Sequence, residues 1–222
     1  LRASGAQDAT ELGTAVAGAD VVITMLANGK AVLETMQQAL PALRAGAMWV
    51  QMSTIGVEAT GYAATLAAQR RDIVFVDAPV SGSVGPARDG TLAILASGPD
   101  DALTALEPLF AALGRKTVRL GKAGAGTRMK LVLNAWLAAL VEGTAEIAAL
   151  ACALEVPLDL VAECLRGGPL EAPMVLAKLA KIESSSFSSE FSLAMAAKDV
   201  GLALDAEGQR GSGTLPLLAA VH

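Results

Sequence analysis

The sequence predicts a two-part protein, a mostly parallel α/β sheet followed by an all-helical half. Three observations predict it. Short, apolar, β-branched runs alternate with helical patterns through the first half. After Gly121 a helical period dominates and no strand pattern recurs. Between the two, one apolar stretch from about Ala123 to Ala153 reads as a single connecting helix. The boundary falls near Lys122, dividing the chain into residues 1–121 and 122–222.

The elements follow in order. Ala19–Leu26 (ADVVITML) reads as a buried strand, and Gly29–Leu40 as a helix stopped near Pro41. Ala47–Met52 is a second strand, Val57–Arg70 a helix and Ile73–Asp77 (IVFVD) a third strand. A Gly/Ser/Pro loop spans Ala78–Gly90, then come a strand at Thr91–Ser97, a helix at Asp100–Leu113 and a short strand at Thr117–Leu120. Continuous apolar strands separated by helices are the mark of a sheet covered on both faces. The connecting helix carries Glu142 and Glu146, is apolar on its other faces, and is therefore expected to be buried. Pro157 starts the next helix at a first-turn position, Gly167-Gly168-Pro169 breaks it, and helices follow at Ala172–Lys181, Phe191–Glu207 and from Leu215. Leu1–Ala6 reads as the end of a helix and Leu215–His222 stops in mid-helix, so the sequence looks cut at both ends.

Composition narrows the function. Of 222 residues, 53% are hydrophobic and 18% charged, ample for a core. The net charge of -5 offers no basic footprint for nucleic acid. The longest charge-free stretch, Ala45–Val57, is short of the roughly 20 apolar residues a membrane span needs, and no signal peptide pattern opens the chain. Cys152 and Cys164, the only cysteines, fall in helical patterns and read as buried free thiols, which fits a reducing cytoplasm. His222 is the only histidine, so Ser-His-Asp chemistry and histidine metal sites are set aside and no metal is expected. Acid-base work falls to Lys, Asp, Glu, Tyr or Cys.

The most informative run is Gly121–Asn134. Small residues open a helix, and Lys130 and Asn134 follow, four residues apart and hence on one face. The pair offers a cation and an orientable amide to an oxygen that gains charge. Spacing alone equally suits a lysine snorkelling from an apolar helix and a buried amide. Gly124 and Gly126 suit either tight packing or the approach of a ligand, with free N–H groups fit for an anion. Ser81-Gly82-Ser83 follows a strand end, where α/β sheets place ligands, and also has the composition of an ordinary turn.

Taken together, Val22–Leu26, Ser53-Thr54, Asp77–Gly90, Gly124–Asn134 and Lys198-Asp199 resemble, in order, the motifs of the β-hydroxyacid dehydrogenase family over nearly the whole chain. That family includes 3-hydroxyisobutyrate dehydrogenases and semialdehyde reductases, and Ser81–Ala87 leans to the glyoxylate/succinic semialdehyde branch. The resemblance implies a Rossmann-type domain, a long interdomain helix and an all-α domain that pairs copies into a homodimer or homotetramer. It implies NAD or NADP as cofactor and a small carboxylate-bearing substrate. Lys130 would be the general acid/base, with Asn134 beside it, while Ser81, Gly82 and Ser83 would anchor the substrate acid. Leu26, Ala27, Ala31 and Thr54 would line the nicotinamide side, and Lys198 would reach the cofactor from the second domain, with Asp199 in a structural part. Thr54 also suits a helix cap. The chain departs from the family at Ala27, where proline is common, and at Ser83, where glycine is. The family's opening strand and its Gly-x-Gly-x-x-Gly turn do not occur, so residues 1–222 alone are expected to bind dinucleotides poorly. Two rivals stand beside this reading: an imine reductase of the same fold, against which Lys130 argues, and a non-catalytic scaffold that keeps the fold.

Overall fold

The structure, a computed structural model, describes residues 5–189, 191–209, 211 and 214–222. The opening residues 1–4 of the expected helix end lie outside them. Two compact units divide at Leu131/Val132, inside the connecting helix.

The first unit opens with α1 (Leu12–Val16), which periodicity does not reveal. Then come β1 (Val21–Thr24), α2 (Gly29–Ala39), β2 (Met48–Gln51), α3 (Gly56–Ala67) and β3 (Val74–Asp77). Asn28 starts α2 as its cap, its Oδ1 accepting the Ala31 N–H at 2.9 Å. β1, β2 and β3 pair in parallel, with Val22 opposite Trp49 and Trp49 opposite Phe75. β2 is apolar on both faces because each face is covered. β1 is not buried as expected, since among the described residues no strand pairs on its outer side and Ile23, Met25 and Leu26 are exposed. Trp49 belongs to one core with Val32, Met36 and Ala63 from α2 and α3. Its neighbour Val50 belongs to another with Val76, Ile94, Leu103 and Phe110. Trp49 is fully buried, meets Phe75 edge-on at 4.9 Å, and donates its indole N–H to Thr24 Oγ1.

The expected loop at 78–90 is structured. It holds β4 (Val80–Ser81) and a short helix α4 (Val84–Arg88), and β4 pairs antiparallel with β5 (Leu92–Ala96). Two residues give no period to read, so a strand this short is invisible in sequence. β5 also runs against β3 through the antiparallel Asp77–Ser97 bridge, and β6 (Gly114–Arg119) runs parallel to β5. Two three-stranded sheets result, β1–β2–β3 all parallel and β4–β5–β6 with β4 antiparallel, and they meet at the Asp77–Ser97 bridge. The expected helix 100–113 breaks at Leu106 into α5 (Asp100–Ala105) and α6 (Glu107–Leu113), with Pro108 in the first turn of α6.

Helix α7 (Ala125–Ala153) runs 29 residues and begins on the sheet. Gly126 makes this possible. A Cβ there would collide with the Leu95 carbonyl oxygen and stand 3.0 Å from the Asp77 carbonyl oxygen and 3.1 Å from Pro79 Cδ. The first turn of α7 therefore lies on Asp77–Pro79, which leads into Ser81-Gly82-Ser83.

The second unit is helical: the rest of α7, α8 (Leu158–Leu165), α9 (Pro173–Glu183), α10 (Leu193–Gly208) and α11 (Pro216–Val221). Ala148, Ala162 and Leu179 form its small core. Pro157 sits just before α8 in extended backbone rather than inside its first turn. Two expectations fail here. α7 is not buried all round: Val132, Trp136, Ile147 and Leu150 are exposed. At a rise of about 1.5 Å per residue it is too long for short helices to wrap. By length and composition it is also the one helix among the described residues that could span a bilayer. Cys152 and Cys164 are free but exposed, because the buried faces of α7 and α8 run through Ala148, Ala151 and Ala162 instead.

Gly126→Ala should destabilise the first unit by about 1–3 kcal/mol, the usual penalty for forcing atoms into a filled contact. Urea unfolding measures it, and parent-like stability would mean that α7 does not rest on β5.

Candidate active site

The candidate residues fall into three groups. The first lies at the carboxyl ends of β1 and β2. Ser53 joins the two strands: its hydroxyl donates to the Thr24 carbonyl at 3.2 Å and accepts the Leu26 N–H at 2.8 Å. Gln51 holds Ser53 in turn, donating from Nε2 to its carbonyl and accepting its N–H at Oε1. Beyond this clamp Met25, Leu26 and Ala27 are exposed. The end of β2 is buried at Gln51, Met52 and Ser53, so the open part of this edge is the segment that follows β1. Leu26 has spent its N–H on Ser53, and Ala31, inside α2, has spent its own on Asn28, so neither N–H remains for a cofactor. Thr54 is half-buried, and the cap position of α3 is Ile55 rather than Thr54.

The second group surrounds the end of β3. Ser81 pairs with Ala93, while Gly82 and Ser83 are exposed. Gly82 has φ of 136°, and a Cβ there would stand 2.7 Å from Leu92 Cδ2, so the bend needs glycine. Ser83 precedes α4 without capping it. Behind the bend lies Asp77, fully buried at the end of an apolar strand. Its Oδ2 accepts the N–H of Thr127 at 2.8 Å, the N–H of Gly124 at 3.1 Å and the hydroxyl of Ser97 at 3.2 Å. Its Oδ1 accepts the Thr127 hydroxyl at 2.8 Å, and Thr60 Oγ1 lies 3.1 Å beyond. Burial pushes the Asp77 carboxyl above the ordinary carboxylate range, and the bonds from Thr127, Ser97 and Gly124 pull against that shift. Gly124 and Gly126 serve packing and capping: the anion that takes their end of the helix is the protein's own carboxylate. Lys130 lies one turn further on and is buried, on the strip that includes Thr127, Leu131 and Asn134.

The third group belongs to the second unit. Asn134 donates Nδ2–H to Asp199 Oδ2 at 2.6 Å. Lys198 Nζ stands 2.9 Å from Asp199 Oδ1. Because an ionised carboxylate only accepts, Asp199 fixes which way the Asn134 amide points and leaves its carbonyl oxygen as the outward acceptor. Asp199 is buried, and both of its oxygens face polar partners, as a buried carboxylate requires. The sequence missed Asp77, Ser97 and Thr127 as a set. The available signal was a single acid ending an apolar strand and a helix opened by glycines that lack a capping side chain.

Residues 1–121 match the family model for the NAD binding domain of 6-phosphogluconate dehydrogenase. Residues 124–222 match that for the NAD-binding domain of NADP-dependent 3-hydroxyisobutyrate dehydrogenase. The chain belongs to the β-hydroxyacid dehydrogenase family. It is 31% identical to 2-(hydroxymethyl)glutarate dehydrogenase of Eubacterium barkeri, over 98% of this chain and 73% of that protein. It is 36% identical to NAD-dependent L-serine dehydrogenase of Pseudomonas aeruginosa, over 96% of this chain and 75% of that protein. The solved 3-hydroxyisobutyrate dehydrogenase of Mycobacterium tuberculosis with L-serine superposes with a TM-score of 0.88 at 31% identity, covering 96% of this chain and 75% of that one. The family places this β-hydroxyacid dehydrogenase among the NAD(P)-dependent oxidoreductases.

Asn134→Asp would set a second carboxylate against Asp199, which already pairs with Lys198. Two carboxylates so close cannot both ionise, which raises the folded-state pKa of the pair above its unfolded value. The variant's stability should be greatest at low pH and fall as pH rises through that raised value. Urea midpoints at about pH 5 and about pH 8 test this coupled titration; equal midpoints would show that the pair is not held together.

Proposed function

We propose that this β-hydroxyacid dehydrogenase interconverts a small 3-hydroxy acid and its semialdehyde, with Lys130 as general acid/base. The observation that carries the reading is the burial of Lys130 one turn from a carboxylate-capped helix start that rests on the Asp77–Pro79 segment leading into Ser81. The relatives' named substrates, 2-(hydroxymethyl)glutarate, L-serine and 3-hydroxyisobutyrate, share a carboxylate and a hydroxymethyl group attached to the same carbon. A substrate of that class needs an acid anchor and a proton carrier.

The Ser81 and Ser83 hydroxyls and the backbone at Gly82 supply donors for the acid. Lys130 gives a proton to the carbonyl oxygen in reduction and takes it from the hydroxyl in oxidation. Asn134, turned by Asp199, presents its carbonyl oxygen as an acceptor for the Lys130 ammonium or the substrate hydroxyl. The bound nicotinamide supplies the hydride. Leu26, Ala27, Ala31 and Thr54 are its binding residues at the sheet, and Lys198 is a further cofactor-binding residue. The exposed apolar residues of α7 support pairing of two copies through the helical unit.

Lys130→Ala should cut turnover at least about a hundredfold with either cofactor, the scale of lost acid-base help. The test is steady-state kinetics on L-serine, 3-hydroxyisobutyrate, glyoxylate and succinic semialdehyde. Near-normal turnover would remove Lys130 from the mechanism. Absence of both cofactor binding and turnover in the parent would favour a scaffold.

A further inference from the structure

The four leading N–H groups of a helix have no partner within it, and a helix opened by glycine has no side chain of its own to cap them. In α7 every one is satisfied from outside the helix. The Gly124 and Thr127 N–H groups bond to Asp77 Oδ2, the Gly126 N–H to Ser97 Oγ at 2.9 Å, and the Ala125 N–H to the Lys122 carbonyl at 3.1 Å. The main cap is a side chain 50 residues away from Thr127 in sequence, at the end of a central strand. Its fourth bond, from the Thr127 hydroxyl, sets the rotation of the helix as well as its height. A carboxylate at a helix start also meets the positive end of the helix dipole.

We infer that Asp77 is a positioning residue for Lys130: by capping and clocking the first turn of α7 against β3 and β5, it sets where the proton-transfer lysine stands. Thr127 and Lys130 are three residues apart on the same buried strip, so a rotation or slip of the first turn carries directly to the lysine. Misplacement of a reacting group by about 1 Å can cost about a hundredfold in rate. The inference rests on the reading of Lys130 as the acid/base. It concerns hydrogen-bond geometry, which makes the asparagine variant informative. An amide oxygen in the place of Oδ2 still accepts from Gly124 and Thr127. An amide N–H in the place of Oδ1 donates to the Thr127 hydroxyl, whose own proton then turns to Thr60.

The test compares Asp77→Asn, Asp77→Ala and Thr127→Val in the active enzyme, each alone and together with Lys130→Ala. Asp77→Ala should lower kcat at least about tenfold, with the KM for cofactor unchanged, and should speed amide exchange at residues 124–127 relative to β2. Asp77→Asn should restore most of kcat. In the Lys130→Ala background Asp77→Ala should bring no further loss, because two residues acting as one unit are not additive. Should Asp77→Ala not fold, Thr127→Val, which removes only the hydroxyl bond, carries the same comparison. Equal losses from Asp77→Ala with and without Lys130 would overturn the inference while leaving Lys130 in its role. Asp77→Asn as impaired as Asp77→Ala would overturn it too. Normal turnover in Lys130→Ala would instead bring down the reading on which it rests.

Discussion

One buried carboxylate carries much of this architecture. Asp77 is fully buried, where an unpaired polar group would be costly, and four donors converge on it, one from the Ser97 end of β5 and three from the start of α7. That convergence joins β3, the Ser97 end of β5 and the first turn of α7. The same atoms that satisfy the carboxylate satisfy the helix start. Neither would be stable in apolar surroundings without the other, so the junction has essentially one geometry available. Gly126 allows the approach, since any side chain there would occupy the space of the β5 backbone.

The rest of the first unit serves the same end of the sheet. Its two cores hold β2 from both sides, with Trp49 and Val50 facing opposite ways. The carboxyl ends of β1, β2 and β3 form one rim, open beyond β1 at Met25, Leu26 and Ala27 and covered at β3 by the first turn of α7. Ser53 and Gln51 stiffen the rim at β1 and β2, much as Asp77 does at β3. Small backbone-directed polar side chains at strand ends act as locators, and the chemistry is left to a few longer ones. In the second unit the pattern repeats once: Asp199 holds Asn134 and Lys198.

Much of this was legible. The apolar runs at β1, β2 and β3 and the unbroken helical period of α7 reported their elements because each spans several repeats of its own period. Lys130 and Asn134 stood out through helical spacing, and the family that the ordered motifs resemble is the one to which the chain belongs. The short β4 and α4 were hidden, since two or five residues carry no period. The reversal of β5 was hidden as well, because strand direction is set by pairing partners rather than by composition. The expectation that an apolar helix is buried failed at Trp136 and Leu150, where the helix outruns what its own unit can cover.

Sequence by itself determined the alternation of elements, the division into a sheet unit and a helical unit, and the few side chains able to move a proton. Those properties are local or periodic, and they persist whatever the partners. Only the tertiary structure decided that Asp77 caps a helix 50 residues on, that Ser53 ties two strand ends together, and that Asn134 is oriented by Asp199. Each of these is a hydrogen bond between groups far apart in sequence, and a donor chooses its acceptor only when folding has brought the two within about 3 Å.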